Sequence, residues 1–179
     1  MEQIKKRTYL SDYKKSLNKY LLTSRFSTRT WNENELYRKS HTKIGCIYCS
    51  EVPITQEITT DKIMFVLEMN NDINKIMGIG LIKNHPHINK YNVYENGNYN
   101  RYNYVGSIRI DRTTMTQEEE TIMRALDILC FKGNTHMKRG HGLKLFPIEM
   151  LFKCLKVIDI VDFINTMFKK RLKEKSNVK

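Results

Sequence analysis

The spacing of apolar and polar positions changes twice along the chain, which divides it into three regions. In the first, Ser11 can cap a helix with four apolar residues on one face, which are Tyr13, Leu17, Tyr20 and Leu21. The next segment, TSRFSTRTW, is rich in hydroxyls and arginine and has no periodicity. It predicts an irregular arm that ends at Trp31. Residues 1–30 are therefore predicted to be a basic helix and arm.

Between residues 43 and 110 the pattern is typical of short strands. Apolar or Tyr- and Asn-rich runs bounded by turn signals lie at 43–50, 62–69, 75–84, 89–94 and 101–110. Gly78 and Gly80 leave one face of the third run without side chains, so that another group can approach its backbone closely. Four or five short strands in this length predict a small curled β-sheet or barrel.

From residue 116 onward the period is that of helices. Thr116 and Glu119 form a capping box ahead of an apolar stripe. Pro147 stands at a first-turn position of a second helix. The predicted fold class is α+β, with an N-terminal helix, a β-rich part and two C-terminal helices. The predicted divisions are the helix and arm at 1–30, one domain at 31–172 (β-rich over 43–110, helical over 116–172) and a basic tail at 173–179.

Charge gives the first indication of a partner. The chain has 31 Lys and Arg against 19 Asp and Glu, a net charge of +12, which favours nucleic acid first and anionic membrane second. A protein that is merely basic is the alternative. No apolar run approaches the roughly 20 residues of a membrane span, and the first residues lack the apolar core of a signal peptide. With four cysteines and no secretion signal, we expect a cytoplasmic or nuclear protein that is not secreted.

The segment richest in candidate chemistry is FKGNTHMKRGHGLKLFP, residues 131–147, between the two predicted helices. It holds three glycines together with six cationic or titratable residues, which are Lys132, His136, Lys138, Arg139, His141 and Lys144. Glycines let backbone N–H groups turn toward an anion, and lysine and arginine add charge and donors. The spacing matches neither a Walker A loop nor a dinucleotide fingerprint. We predict a phosphate-binding loop. The alternative is a structural loop whose cations are solvated.

Aromatic residues give a second candidate. Tyrosines between 91 and 104 alternate with Asn, Lys and Arg, and we assign Tyr102 and Tyr104 to the site. Rings beside cations stack and hold single-stranded nucleic acid, although tyrosine also favours half-buried strands. Trp31, the one tryptophan, can line a base pocket because its face accepts stacking and its N–H donates. Alternatively, it anchors the N-terminal arm on the core.

The spacing of the cysteines and histidines bears on metal binding and catalysis. Cys46 and Cys49 form half of a zinc site, but no second half has a standard spacing. Residues three apart on a strand point to opposite faces, so we predict buried thiols, no metal and no cofactor. His136 or His141 could act as acid or base in a metal-dependent nuclease. No pair of residues has diagnostic spacing and no nucleophile motif is present, so no catalytic residue is assigned.

Three segments carry two resemblances. MFVLEMNNDINKIMGIGLIKN (64–84) resembles the strand–turn–strand of PUA-like domains of the EVE and YTH type, and TRTWNENELYR (28–38) resembles the segment that precedes it. Over about residues 28–110 this implies a small β-barrel that takes a base, often a modified one, into an aromatic-lined pocket with Trp31 in it. The YTH cage needs more tryptophans than this chain has. FKGNTHMKRGHG is similar to uncharacterised proteins of large cytoplasmic DNA viruses, which implies the host cytoplasm.

Together these patterns predict a non-catalytic protein that binds RNA or DNA. The basic glycine-containing loop would hold the phosphate backbone, and an aromatic pocket would stack a base. Two alternatives stay open, a metal-dependent enzyme that processes nucleic acid and a viral structural or assembly protein that binds nucleic acid or an acidic partner. We expect no membrane partner, and the sequence leaves open the strandedness of the ligand and the oligomeric state.

Overall fold

The computed structural model describes the backbone of residues 2–177 and the side chains of residues 7–177. Its helices and strands are, in chain order, α1 Glu2–Ser16, β1 Lys19–Phe26, α2 Thr28–Ser40, β2 Cys46–Ser50, β3 Ile63–Asn70, β4 Lys75–Lys83, β5 His87–Ile88, β6 Tyr102–Gly106, β7 Ile108–Asp111, α3 Gln117–Phe131, β8 Leu143–Leu145, α4 Ile148–Cys154 and α5 Ile160–Asn177. Short 3-10 turns lie at Gly97–Asn100 and Arg112–Thr114. The predicted α+β class is confirmed.

The strands form two open sheets. The larger has five strands in the order β7-β4-β3-β1-β8, in which β1 and β3 are parallel and the other neighbours antiparallel. The smaller is antiparallel, with three strands in the order β2-β6-β5. Among the described residues neither sheet closes into a barrel, so two open sheets replace the single curled sheet or barrel that the sequence predicted.

Strand β3 shows why the molecule has two cores. Side chains alternate across a strand, and seven of its eight positions are buried, so both of its faces are covered. Phe65 and Leu67 belong to the core on the helix side, where the Phe65 and Phe168 rings stack at 5.3 Å. Met64 and Val66 belong to the second core, which the small sheet and α2 complete. The large sheet is thus the middle layer of three.

The N-terminal region differs from its prediction. Helix α1 ends at Ser16, and residues 19–26 form β1 between β3 and β8 instead of a helix end and an arm. Pairing with β3 supplies backbone hydrogen bonds that an irregular arm would leave to water. Residues 28–40 are helical because Ser27 and Thr30 form a reciprocal cap. The predicted capping box of Thr116 and Glu119 is present and starts α3.

The Tyr- and Asn-rich run at 89–94 is not a strand, and β5 contains only His87 and Ile88. Asparagine side chains satisfy the backbone there instead of a neighbouring strand. Asn103 Oδ1 accepts from the backbone N–H groups of Lys90 and Tyr91, and Asn100 Oδ1 accepts from those of Val93 and Tyr94. We call residues 89–100 the tyrosine loop. Its shape is fixed by side-chain clamps, which strand periodicity does not reveal.

Three helices, not two, follow residue 116. The predicted second helix is interrupted after Cys154, and α5 begins at Ile160, where the Asp159 carboxylate accepts from the backbone N–H of Asp162 at 3.0 Å. Helix α5 continues to Asn177, so the predicted basic tail is helical up to that residue. The last two residues of that tail lie outside the described part of the chain.

Candidate nucleic-acid site

The segment between α3 and β8, residues 132–142, is here called the glycine loop. Gly133, Gly140 and Gly142 have φ of +78°, +94° and +66°, a backbone region that glycine enters without steric cost. A Cβ on Gly142 would lie 2.2 Å from Ser50 Oγ. The backbone path of the loop therefore requires glycine at these positions. This agrees in part with the alternative that the loop is structural.

The glycine loop is held against the end of β1. Met137 is buried in the helix-side core, and its N–H donates to the carbonyl of Cys130 at 2.7 Å. Arg25 Nε donates to the Met137 carbonyl at 2.5 Å, and Asn71 Nδ2 donates to the Lys138 carbonyl at 3.0 Å. These contacts, with the pairing of β8 on β1, fix the loop where it can form one wall of a site.

A cavity of about 350 Å³ lies between this loop, the end of β1 and the tyrosine loop. Strand β1 and the start of α2 contribute five of its lining residues, which are Ser24, Arg25, Phe26, Ser27 and Thr30. The two loops contribute Tyr94, Tyr99, Lys138, Gly140, His141 and Gly142, and Cys49 and Asn71 complete the wall. No Asp or Glu is among these described lining residues, so its charge is cationic.

Arg25 is the most informative residue of the cavity. Its Nη1 is buried and has no hydrogen-bond partner among the described residues. Burial lowers the pKa of the guanidinium, and no carboxylate pairs with it in the described part of the chain. The other buried polar atom without a described partner is Asn71 Oδ1, in a second lining residue. Both buried polar atoms that lack a partner among the described residues thus belong to residues that line the cavity.

Two rings are exposed enough at the cavity to contact a ligand. Tyr99 is half-buried and His141 is exposed, and their ring centroids lie 6.1 Å apart. Tyr94 is buried, and its hydroxyl accepts from Asn34 Nδ2 at 3.0 Å. Burial raises the pKa of Tyr94 well above its usual value. Tyr94 therefore supports the wall, while Tyr99 and His141 present ring surface to the site.

The N-terminus of α2 also reaches the cavity, but two of its backbone donors are already engaged. The backbone N–H of Thr28 donates to Asp72 Oδ2 at 2.7 Å. The N–H of Thr30 donates to Ser27 Oγ at 3.2 Å. Because a carboxylate already occupies the positive end of this helix, an anion in the cavity would be held by side-chain cations instead.

The structure divides the predicted loop residues into two groups. Lys138 and His141 line the cavity, and Arg139 is exposed between two lining residues. Lys144 runs beside the loop, with its Cε 3.8 Å from the position of a Cβ on Gly140. Lys132 and His136 lie on the loop but not in the lining. The Lys138 Nζ is held by Asn74 Oδ1 at 2.8 Å, so it is anchored beside the cavity.

The predicted aromatic residues do not line this cavity. Trp31 is 7% exposed in the second core, with the guanidinium carbons of Arg38 and Arg109 each 5.5 Å from its ring centroid. This packing agrees with the alternative that Trp31 is an anchor, although the element that it anchors is α2 and not an irregular arm. Tyr104 is fully buried, and its hydroxyl accepts from the N–H of Ile54 at 2.9 Å. Tyr102 is half-buried beneath the Arg101 guanidinium.

Sequence reasoning missed Arg25 and Asn71, and it included Tyr99 among the tyrosine candidates without assigning it to the site. Once KYLLTSRF is known to be a strand, Arg25 stands out as a charged residue near the end of a mostly buried run. Because the sequence predicts an irregular arm here, a charged residue at this position does not stand out. Asn71 lies in the β3–β4 turn, where asparagine is common for conformational reasons alone.

The cysteines are placed as predicted. Cys46 and Cys49 are buried thiols in β2, and burial raises the pKa of each to about 12. Over the described residues, no group of three or more His, Cys, Asp or Glu side chains is arranged to hold a metal ion. None of the described helices combines the length and apolarity needed to cross a bilayer.

No protein-family model, curated protein or solved structure matches this chain. The resemblances to PUA-like domains and to viral proteins therefore stay predictions. Assignment of a function rests on the geometry of the cavity and on the charges around it.

Proposed function

We propose that the protein binds nucleic acid without acting on it chemically, and that the cavity beside Arg25 receives a backbone phosphate. The observation that carries the proposal is a largely buried guanidinium without an acidic partner among the described residues. Burying an uncompensated charge is costly, and an anionic ligand offsets that cost. Phosphate suits the position because its oxygens accept the forked hydrogen bonds of arginine.

Exposed cations on the glycine loop and on the adjacent strand β8 support a ligand with several phosphates. Lys132, Arg139 and Lys144 are exposed and make no ion pair or side-chain hydrogen bond within residues 7–177. Their charge contributes to a net charge of +12. A strand whose phosphate enters the cavity can therefore pass its neighbouring phosphates over this loop, where each contact releases counterions.

Tyr99 and His141 support a base next to that phosphate. Both rings border the cavity, whose volume of about 350 Å³ is within the usual range of ligand pockets. A base placed against either ring would be bound by stacking, which tolerates any sequence. We propose one stacked nucleotide here, in place of the aromatic pocket that the sequence assigned to Trp31.

A PUA-like origin of the β region also stays a proposal. Strands β3 and β4 form an antiparallel apolar pair joined by a polar turn, as the resemblance expects. They lie in an open five-stranded sheet, so a PUA-like relationship would involve an opened form of that barrel.

The salt dependence of binding tests the proposed function. We expect the variant Lys132→Ala/Arg139→Ala/Lys144→Ala to bind a labelled single strand of about 12 nucleotides with a shallower salt dependence. With a slope of about 0.7 per phosphate contact, three lost contacts reduce the slope of log K against log salt by about 2. Fluorescence anisotropy between about 50 and about 200 mM salt measures it.

A charge-matched control is Lys153→Ala/Lys156→Ala/Lys173→Ala, which removes three exposed lysines from α4, α5 and the segment between them. This control should leave the slope close to that of the unmodified protein. If both triple variants change the slope equally, binding depends on net charge alone and the glycine loop has no special role.

A further inference from the structure

Three rings form a continuous strip outside the cavity, beside the small sheet. The ring centroids of His85 and His87 lie 5.8 Å apart, and those of His87 and Tyr91 lie 5.6 Å apart, both in edge-to-face geometry. His87 pairs with Asn103 across β5 and β6, and Tyr91 belongs to the tyrosine loop. We call His85, His87 and Tyr91 the ring strip. None of the three is fully buried.

The surroundings of the ring strip are cationic. Lys90 Nζ lies 5.3 Å from the Tyr91 ring centroid. From residue 83 to residue 104 the chain has three basic residues and one acid, Glu95, which is ion-paired with Arg29. At the outer end, His85 Nδ1 is 3.6 Å from the Asp61 carboxylate, so the cationic part of the strip is the part nearer Tyr91.

The surroundings of His87 favour its uncharged form. Burial, Lys90 and His85 together lower the pKa of this imidazole from its usual 6.5. A neutral imidazole next to a tyrosine offers flat surface, and the cation nearby offers attraction for phosphate. This combination is the one that single-stranded nucleic acid uses, because its bases have free faces and its backbone is anionic.

The tyrosine loop also holds its rings in place before any ligand arrives. Asn103 Nδ2 donates to the carbonyls of Tyr91 and Asn100 at 3.4 and 2.9 Å. Asn100 Nδ2 donates to the carbonyl of Tyr94 at 2.7 Å. Clamped backbone lowers the entropy cost of binding. The same loop carries Tyr91 in the ring strip and Tyr99 in the cavity lining.

We infer that the ring strip stacks unpaired bases of the strand whose phosphate occupies the cavity, which makes the ligand single-stranded RNA or DNA. The inference rests on the proposed function and extends it, because the cavity alone could hold a phosphate from either a single strand or a duplex. Bases of a duplex are already stacked on each other and have no free face for His87 or Tyr91.

The test compares oligonucleotides of two lengths on the full chain. We expect His87→Ala/Tyr91→Ala to weaken binding of a single strand of about 12 nucleotides by about tenfold or more, as loss of base stacking does. Binding of a trinucleotide, which is long enough for the cavity alone, should change less than about twofold. The matched control is Tyr9→Ala, since Tyr9 is 62% exposed on α1 and far from the strip in the chain.

Two further measurements separate stacking from misfolding. Tyr91→Phe keeps the ring, so it should bind the long strand like the unmodified protein. Thermal melting should show that the double variant is folded. A Tyr91→Phe variant as weak as the double variant would overturn the inference, as would equal losses for the long strand and the trinucleotide. DNA and RNA of one sequence are measured in parallel, and the inference requires the length-dependent loss with at least one of them.

The outcomes also distinguish this inference from the proposed function. If the Lys132/Arg139/Lys144 variant loses affinity while His87→Ala/Tyr91→Ala binds every length normally, the proposed function stands and the ring strip has no role. If neither variant changes binding of any oligonucleotide, both proposals are wrong.

Discussion

Arg109 and Arg25 are two substantially buried arginines on the same five-stranded sheet, yet their surroundings are opposite. The Arg109 side chain is 8% exposed and pairs with Glu68 at 2.7 Å and with Asp111 at 2.6 Å. Burial alone would lower the pKa of Arg109, but the two carboxylates raise it instead. For Arg25 burial prevails and lowers the pKa, because no carboxylate pairs with it in the described residues. An acidic partner therefore distinguishes a structural arginine from one that is free to bind an anion.

The same distinction explains where the excess positive charge resides. Arg112 pairs with Glu120 at 2.7 Å and with Asp127 at 2.9 Å. Arg171 pairs with Glu119 at 2.6 Å. These structural arginines engage several acids of the chain, while the glycine loop and the cavity have none among their described residues. Net charge alone could not show this separation.

The largest effect should come from removing the structural arginine. Arg109→Met leaves the Glu68 carboxylate buried without its cation, and we expect the free energy of unfolding to fall by about 3–5 kcal/mol. Urea denaturation measures it. The control Arg139→Met removes an exposed arginine and should cost less than about 0.5 kcal/mol. If both variants lower the free energy of unfolding equally, an acidic partner does not distinguish a structural arginine from the others.

A smaller loss of stability should follow from adding a methyl group at Gly80, next to Tyr48. A Cβ on Gly80 would lie 1.9 Å from Tyr48 Oη, whose hydroxyl donates to Glu68 at 2.8 Å. We expect Gly80→Ala to lower the free energy of unfolding by about 1–3 kcal/mol through overpacking. Gly97→Ala, where a Cβ would meet nothing within 4 Å, is the control in urea denaturation and should cost little. An unchanged free energy of unfolding for Gly80→Ala would contradict the close approach of Tyr48 to the Gly80 backbone.

The smallest effect on stability should come from Arg25. Arg25→Met removes an uncompensated charge together with one hydrogen bond, so we expect the free energy of unfolding to change by less than about 1 kcal/mol. Affinity for single-stranded nucleic acid should nevertheless fall at least about tenfold, since a charged hydrogen bond is lost. Urea denaturation and fluorescence anisotropy on one preparation measure both. Lost stability with unchanged affinity would make Arg25 another structural arginine.

Parts of the fold could be predicted because local signals agree with tertiary structure. The α3 cap at Thr116 and the apolar runs of β3 and β4 were visible in the sequence. The bare face at Gly78 and Gly80 was also visible, and Tyr48 and Arg109 approach it. Strand β1 could not be identified, since it depends on pairing with β3 and β8, which lie far along the chain.

The candidate site was only half predictable for the same reason. Lys138 and His141 were found because density of charge and glycine is a local property. Arg25 and Tyr99 enter the site from segments more than 30 residues away from the glycine loop. The sequence assigns Trp31 to a pocket on its residue type, and its burial in the second core, with Arg38 and Arg109 against its ring, shows that the core uses it.

The pairing of β1 with β8 has a consequence for how the protein is made. Leu22 and Leu145 are partners across these strands, although more than a hundred residues separate them. A chain emerging from the ribosome therefore exposes β1 long before β8 exists, and domains fold as their last segments arrive. The cavity cannot form until the glycine loop and β8 have been synthesised. A nascent or truncated chain that ends before these two segments therefore lacks the binding site.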